Sequence, residues 1–308
     1  MVPLRRSHAL LRSAHVAVIV IFSMFMPWVA VGSNVSTRAV YWAIDWLGER
    51  KLEELKLSMC TVRRTNPRIP QILFTYKFPS LLDDAVIINE SWPARLDCAL
   101  TYTGSFDINT HQDSLMANLN STQIQSWMRP DLWKHRFGAF GRYYVFDTLV
   151  KVGVETAMYM DTDTVTVSSL DYAFTLLEAP ATNQSQAHGA FGVIYDSTRA
   201  HWGPDTSTPI VQMLGFTKKL AFNNGVFATR TCKARALRVP DRMAKLLNPG
   251  PGGLLSGEYK GGSFSDQSLF MLVAVNHSIG LPARFNCRYP VTPKLYPHCA
   301  VLHNHFGR

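Results

Sequence analysis

An apolar run at residues 156–160 (TAMYM) gives way to Asp161-Thr162-Asp163 and then to alternating Thr and Val. The run predicts a buried strand, and period-two geometry places Asp161 and Asp163 on one face beyond its carboxyl end. Upstream, Phe140, Tyr144, Leu149 and Val152 recur at helical spacing, which predicts a helix over 137–152 stopped by Gly153. Further strands are predicted at 71–76, at 96–103 with Gly104 ending it, and at 188–195. The apolar segment 221–228 is interrupted by Asn223, Asn224 and Gly225, and amides inside a strand need a reason. Helices are predicted at 81–92 and from Ser265, a candidate N-cap, through 275. A short strand at 300–302 precedes His303 and His305. The Gly- and Pro-rich stretch 248–262 reads as a loop, either a lid or a passive insertion. Strands alternating with helices point to a parallel α/β architecture.

The amino-terminal part has a different pattern. Residues 16–31 are apolar apart from Ser23 and follow a tail carrying Arg5, Arg6 and Arg12. The run is short for a membrane span of roughly 17–25 residues and long for a signal-peptide core of roughly 7–15. It is read as an uncleaved signal anchor at 14–33 behind a cytoplasmic tail at 1–13, with a cleaved signal as the alternative. Either reading delivers the rest of the chain to the secretory lumen, as expected for a type II protein of the Golgi or endoplasmic reticulum membrane. Trp42, Trp46, Leu47, Leu52, Leu55 and Leu57 fall roughly at helical spacing, so 34–66 is expected to be a stem with an amphipathic helix. The globular domain is then expected at 67–308. Sequons begin at Asn34, Asn89, Asn120, Asn183 and Asn276, in keeping with a lumenal address. The five cysteines have no Cys-x-x-Cys spacing, which argues for one or two disulfides and an odd thiol rather than a zinc ribbon.

Composition narrows the function classes. With 308 residues, 47% of them hydrophobic, the chain has material for one large core. The net charge of +9 is dispersed outside the basic tail, without a Lys/Arg block interleaved with aromatics. This excludes a nucleic-acid groove and suits a small anionic substrate. Two carboxylates at a strand end supply oxygen ligands for a hard cation.

Six short motifs follow one another: Arg142, Tyr159-Met160-Asp161-Thr162-Asp163, Phe222-Asn223-Asn224-Gly225-Val226, Asp266-Gln267, Leu281-Pro282 with Asn286, and Leu302-His303. In this order they resemble the retaining GT-A glycosyltransferases of family 8, which include glycogenin, bacterial galactosyltransferases and xylosyltransferases. The resemblance runs over roughly 137–307. Ile69-Pro70-Gln71-Ile72 and Gly141-Arg142-Tyr143 add features of the family 32 sugar transferases. The resemblance implies an α/β, Rossmann-like GT-A nucleotide-sugar transferase domain with a mixed, mostly parallel central sheet. It implies a UDP-sugar donor, a glycan or glycoconjugate acceptor and Mn2+, with Mg2+ as the alternative ion. It assigns the metal to Asp161, Asp163 and His303, with His305 as second choice. Arg142 would lie near the nucleotide or its phosphates, Asn223 and Asp266 would hold the donor sugar, and Gln267 would lie near the anomeric carbon. Asp266 and Gln267 are thus the expected catalytic positions. Ser268 stands where the family has a third acid, and where the family continues into Lys-Pro-Trp this chain reads Arg308, so that either Arg308 substitutes for that lysine, or the sequence is truncated, or turnover is weak. Two other readings compete: a GT-A lumenal protein that binds sugar or a partner without catalysis, and a haloacid-dehalogenase-type phosphatase with Asp161 as nucleophile. The second lacks the downstream acidic pair its chemistry needs.

Overall fold

Arg38–Ile44 (RAVYWAI), strand β1, is buried from Ala39 onward. An uninterrupted apolar run of this kind suits a strand covered on both faces. A computed structural model describes residues 37–44, 49–76, 102–106, 115, 136–180, 189–195, 222–247, 266–288 and 296–303. All of them belong to the unit Ser36–Arg308. β1 lies between β2 (Gln71–Tyr76) and β4 (Thr156–Met160) and is parallel to both. Together with β3 (Tyr102–Phe106), β6 (Phe191–Tyr195), β7 (Phe222–Arg230) and β8 (Ser278–Gly280) they form a seven-stranded sheet of order β3-β2-β1-β4-β7-β6-β8. Only β7 runs against the others. The architecture is the α/β, mostly parallel one expected.

Successive strand residues enter opposite cores. Tyr41, Phe74, Tyr159 and Phe227 face one core, which also takes Phe140 from α2 (Arg136–Gly141) and Leu149 from α3 (Phe146–Lys151). The same core takes Ala234 from α5 (Thr231–Ala236), Met243 from α6 (Val239–Leu246) and Phe270 from α7 (Asp266–Ala274). Trp42, Leu73, Met158 and Val226 face the other core. There they meet Leu55, Met59 and Val62 from α1 (Glu49–Thr65) and Phe174 and Leu177 from α4 (Asp171–Glu178).

Three sequence expectations need correction. The stretch 34–66 does not act as a stem from Arg38 on, because it supplies a central strand and a packed helix. Trp42 Nε1 donates to Ser58 Oγ at 3.0 Å, Ser58 Oγ lies 2.8 Å from Thr164 Oγ1, and Thr61 Oγ1 accepts from Thr166 N at 3.1 Å. These bonds tie α1 to β5 (Thr164–Thr166), so the globular fold begins well before residue 67. The helix expected over 137–152 is two short helices separated by a turn at 142–145. Arg142, Tyr143, Tyr144 and Val145 are all buried, and four consecutive side chains cannot share one helical face. Gly104 lies inside β3 rather than ending it. Residues 1–36, the helix at 81–92, the loop at 248–262, Ser265, His305 and Arg308 lie outside the described residues.

A second sheet carries the end of the chain. β5 pairs antiparallel with β10 (Val301–His303), which pairs parallel with β9 (Cys287–Arg288). A Cys287–Cys299 disulfide fastens β9 to the segment entering β10. Cys60 is also disulfide-bonded, and Cys232 is an exposed free thiol. Among the described residues no helix is long and apolar enough to cross a membrane.

Candidate functional site

β4 leaves the sheet where the strand order reverses direction around β1, the place where open α/β sheets bind ligands. Asp161 N donates to Gly225 O at 2.7 Å, which holds the exit of β4 against β7. Tyr159 and Asp161 share a face, and the Tyr159 hydroxyl donates to Asp161 Oδ1 at 2.6 Å. Thr164 Oγ1 donates to Asp161 O at 2.8 Å, closing the turn that leads into β5. Antiparallel pairing then sets His303 opposite Thr164. His303 Nε2 lies 3.3 Å from Asp163 Oδ1 and 3.6 Å from Asp161 Oδ2. One ligand atom from each of Asp161, Asp163 and His303 falls within 4.8 Å of the others.

The amides that interrupt β7 are explained by an irregularity in its pairing. β6 pairs Val193 with Phe227 but the next residue, Ile194, with Asn223, so extra residues of β7 are accommodated at 224–226. Such bulges re-aim side chains near functional sites. Asn223 Oδ1 accepts from Gly225 N and from Asn286 Nδ2, both at 2.9 Å. Asn223 Nδ2 donates to Gln267 Oε1 at 3.3 Å, and Asn286 Oδ1 lies 2.9 Å from His303 Nδ1. A chain of amides therefore runs from Gln267 to the histidine. On the other side, Asn224 Nδ2 donates to Asp266 Oδ2 at 2.6 Å and to the Tyr143 hydroxyl at 2.9 Å.

Arg142 binds the two halves of the site together. It is 8% exposed, and its Nη1 donates to Asp161 Oδ1 at 3.3 Å and to Asn224 O at 3.1 Å. Its Nη2 lies 3.7 Å from Asp266 Oδ2, its Nε donates to Ala139 O, and its guanidinium stacks over Tyr159 at 4.4 Å. Burial pushes the Asp266 carboxyl above its usual value, against the opposing pull of Arg142 and Asn224. Burial likewise raises the Tyr159 phenol well above its ordinary value, so it remains a protonated donor toward Asp161. The floor of the site is aromatic: Tyr159 stacks on Phe227 at 5.2 Å, and Tyr143 meets Phe270 at 4.7 Å.

The donor set fits a divalent cation. Two carboxylates and one imidazole suit manganese better than calcium, which favours an all-oxygen set. The tight approach of the third residue type depends on a glycine. A Cβ at Gly225 would stand 2.5 Å from Asp161 Oδ2 and 2.9 Å from His303 Nε2, and closer still to His303 Cε1. The space beside the three ligands therefore requires the hydrogen of Gly225. Asp161 Oδ1 is occupied by Tyr159 and Arg142, which leaves Oδ2 on the side of His303.

Of the residues singled out in the sequence, Asp161, Asp163, His303, Arg142, Asn223, Asp266 and Gln267 come together in this one region. Arg142 is fixed between two acids rather than projecting outward, and the Asn223 amide is committed to Gly225, Asn286 and Gln267. Asn224, Tyr143 and Asn286 stand in the sequence motifs, but their hydrogen-bonding roles are not legible there. The pairing irregularity in β7 was signalled by consecutive amides before a glycine, but the partner of each amide is a fact of three-dimensional packing.

No protein-family model matches the sequence, and no curated protein matches it. Solved structures do. The apo structure of WbbM, a bifunctional glycosyltransferase, matches with a TM-score of 0.56 and 12% identity over 90% of this chain. This chain covers 47% of the WbbM chain, about half its length. The apo form of mouse xyloside xylosyltransferase 1 matches with a TM-score of 0.52 and 11% identity, over 87% of this chain and 98% of that one. At such identities the likeness speaks for the backbone alone, and with the sheet order above it makes this the GT-A fold of glycosyltransferases.

Proposed function

We propose that this chain is a metal-dependent, retaining glycosyltransferase moving a sugar from a nucleotide donor, a UDP-sugar, to a glycan, glycoprotein or glycolipid acceptor. We place it in the Golgi or endoplasmic reticulum membrane, held by its amino-terminal segment with the globular part in the lumen. The observation that carries the reading is the Asp161, Asp163 and His303 cluster at the carboxyl end of β4 in a GT-A sheet. The fold and the engagement of Asp161 Oδ1 by Tyr159 and Arg142 count against the phosphatase alternative, in which Asp161 attacks phosphorus.

Asp161, Asp163 and His303 would hold Mn2+, with Mg2+ as the alternative. Bound there, the ion supplies Lewis-acid stabilisation of charge developing on a departing diphosphate. Arg142 orients Asp161 through its Oδ1, and Asp161 Oδ2 is thereby held toward the site. Gln267 is half-buried, and its side chain is fixed by Asn223, in keeping with a place beside the donor sugar. Double displacement requires a carboxylate nucleophile at the anomeric carbon. Gln267 has none, and the adjacent Asp266 is buried and held by Asn224 and Arg142. Retention then follows from front-face substitution. The acceptor hydroxyl oxygen forms the new glycosidic bond on the face from which the sugar–phosphate bond breaks, and the leaving phosphate oxygen takes the hydroxyl proton.

The test is a screen of UDP-sugars for Mn2+-dependent UDP release, with Asp163→Ala as control. Loss of a ligand is expected to cost at least about 100-fold in release, since even residues supporting a ligand cost roughly 10–100-fold. Equal release by the variant would refute the metal site. Tight UDP-sugar binding with no release from any donor would favour a binding protein that keeps the fold. Trapping a glycosyl group on a native side chain would sink front-face substitution.

A further inference from the structure

Metal-ligating histidines work through one ring nitrogen, and the other nitrogen's partner decides which. We infer that Asn286 is a positioning residue that commits His303 to presenting Nε2, and not Nδ1, as its ligand atom. The inference rests on the metal reading above and adds to it Asn286, a residue that reading does not use.

Side-chain amides are ordinarily ambiguous, because their oxygen and nitrogen can be exchanged without changing the shape. Here one end of the chain is anchored by a group with no such freedom. Gly225 N is a backbone donor, so the Asn223 atom it meets at 2.9 Å must be the oxygen. The Asn286 atom that approaches the same oxygen at 2.9 Å must then be its NH2 group. The remaining Asn286 atom is an oxygen, and it lies 2.9 Å from His303 Nδ1. An amide oxygen only accepts, so His303 Nδ1 must carry the proton. Its Nε2 is then the nitrogen available to a cation, and Nε2 is the atom beside the Asp161 and Asp163 carboxylates. The ring is 2% exposed, so water has little access to offer either nitrogen another partner.

Position in the fold makes the device rigid. Asn286 closes a 3-10 turn at Ala283–Asn286, immediately before β9, and β9 pairs with β10, which carries His303. Asn223 sits on the irregular part of β7. The main sheet and the small sheet are thus connected through two amides whose polarity is fixed by the backbone of Gly225.

The test uses the full chain with 15N-labelled histidine, metal-free and with Mg2+ as a diamagnetic probe, and His303→Gln to assign the ring signals. His303 Nδ1 is expected to carry a proton in both states, with Mg2+ shifting the Nε2 resonance. Mn2+ titrations followed by electron paramagnetic resonance then compare the wild type with Asn286→Asp and Asn286→Leu. The Asp variant keeps an acceptor for Nδ1–H but sets its second oxygen against Asn223 Oδ1, and is expected to lose less than about 10-fold in Mn2+ affinity. The Leu variant is expected to bind roughly 10–100-fold more weakly, with the wild-type circular dichroism retained by both. A bare Nδ1 in either state, or equal Mn2+ affinity in the two variants, would overturn the assignment. Failure of the wild type to bind Mn2+ would instead overturn the metal reading, and the metal-free Nδ1 signal would still decide the role of Asn286.

Discussion

Gly225 is the residue on which the site is most exposed to a small change. Its carbonyl accepts from Asp161 N, its N–H fixes Asn223, and its missing side chain leaves the space beside His303 and Asp161 Oδ2. Both flanking strands are held by pairing, so the added methyl of Gly225→Ala can be accommodated only by moving His303 or Asp161. Overpacking of this kind is expected to cost about 1–3 kcal/mol, read as a lower urea midpoint. The larger effect should be on the cation, with Mn2+ affinity falling at least about 10-fold in a titration. An alanine variant that binds Mn2+ like the wild type would show that the ion sits elsewhere. At this scale the acids were legible as a pair at the end of an apolar run, although a turn rather than a strand carries them, and the histidine was legible only through the family resemblance. Asn286 was legible as a motif residue only. Its function depends on which atom of which neighbouring amide it meets, and sequence spacing carries no record of that.

Between elements, β1, β4 and α4 are joined at one end by a small ionic group. Glu178 at the end of α4 accepts from Arg38 Nε at 2.9 Å and from Thr156 Oγ1 at 2.6 Å, and its second oxygen pairs with Arg38 Nη2. Partial burial pushes the Glu178 carboxyl up, but the bonds from Arg38 and Thr156 outweigh it, and the net position is below the usual carboxylate value. A carboxyl lowered in the folded state stabilises the fold above its unfolded value of about 4.3. The contribution is lost as pH falls through the lower, folded value. Glu178→Gln should therefore cost about 1 kcal/mol or less at pH 7, given the group's access to solvent, and progressively less as pH falls below about 4. Urea midpoints of the two proteins over falling pH check this; a gap that does not shrink would mean the glutamate acts through shape rather than charge. The elements themselves were unevenly readable. β4 matches its prediction residue for residue, since a short apolar run bounded by acids has few alternatives. The helix over 137–152 was over-extended because apolar spacing continues across 142–145, where the chain in fact turns to bury Arg142 and both tyrosines.

At the scale of the whole molecule, the largest misreading concerns where the fold begins. A strand in the middle of a parallel sheet is apolar on both faces, so RAVYWAI shows no alternation, and its tryptophan joins the leucines of α1 in an apparent helical pattern. Its partners make its importance plain. β1 stands between β2 and β4, so without it β2 and β3 are separated from the rest of the sheet that carries Asp161. Tyr41, Trp42, Ile44, Leu55, Met59 and Val62 are all buried. At roughly 1.5–3 kcal/mol for each large apolar side chain, their loss rivals the entire stability of about 5–15 kcal/mol typical of a domain. A chain starting at residue 36 is therefore expected to unfold in one cooperative step, whereas a chain starting at residue 67 should show no cooperative transition and no Mn2+ binding. The Trp42–Ser58–Thr164 hydrogen bonds strengthen the case, because they anchor the start of β5, against which His303 pairs. If the chain from residue 67 melted cooperatively at the midpoint of the longer one, the stem would be restored and β1 would be an accessory strand. The arrangement of the sheet requires the opposite: the residues before 67 hold the strand that presents both aspartates.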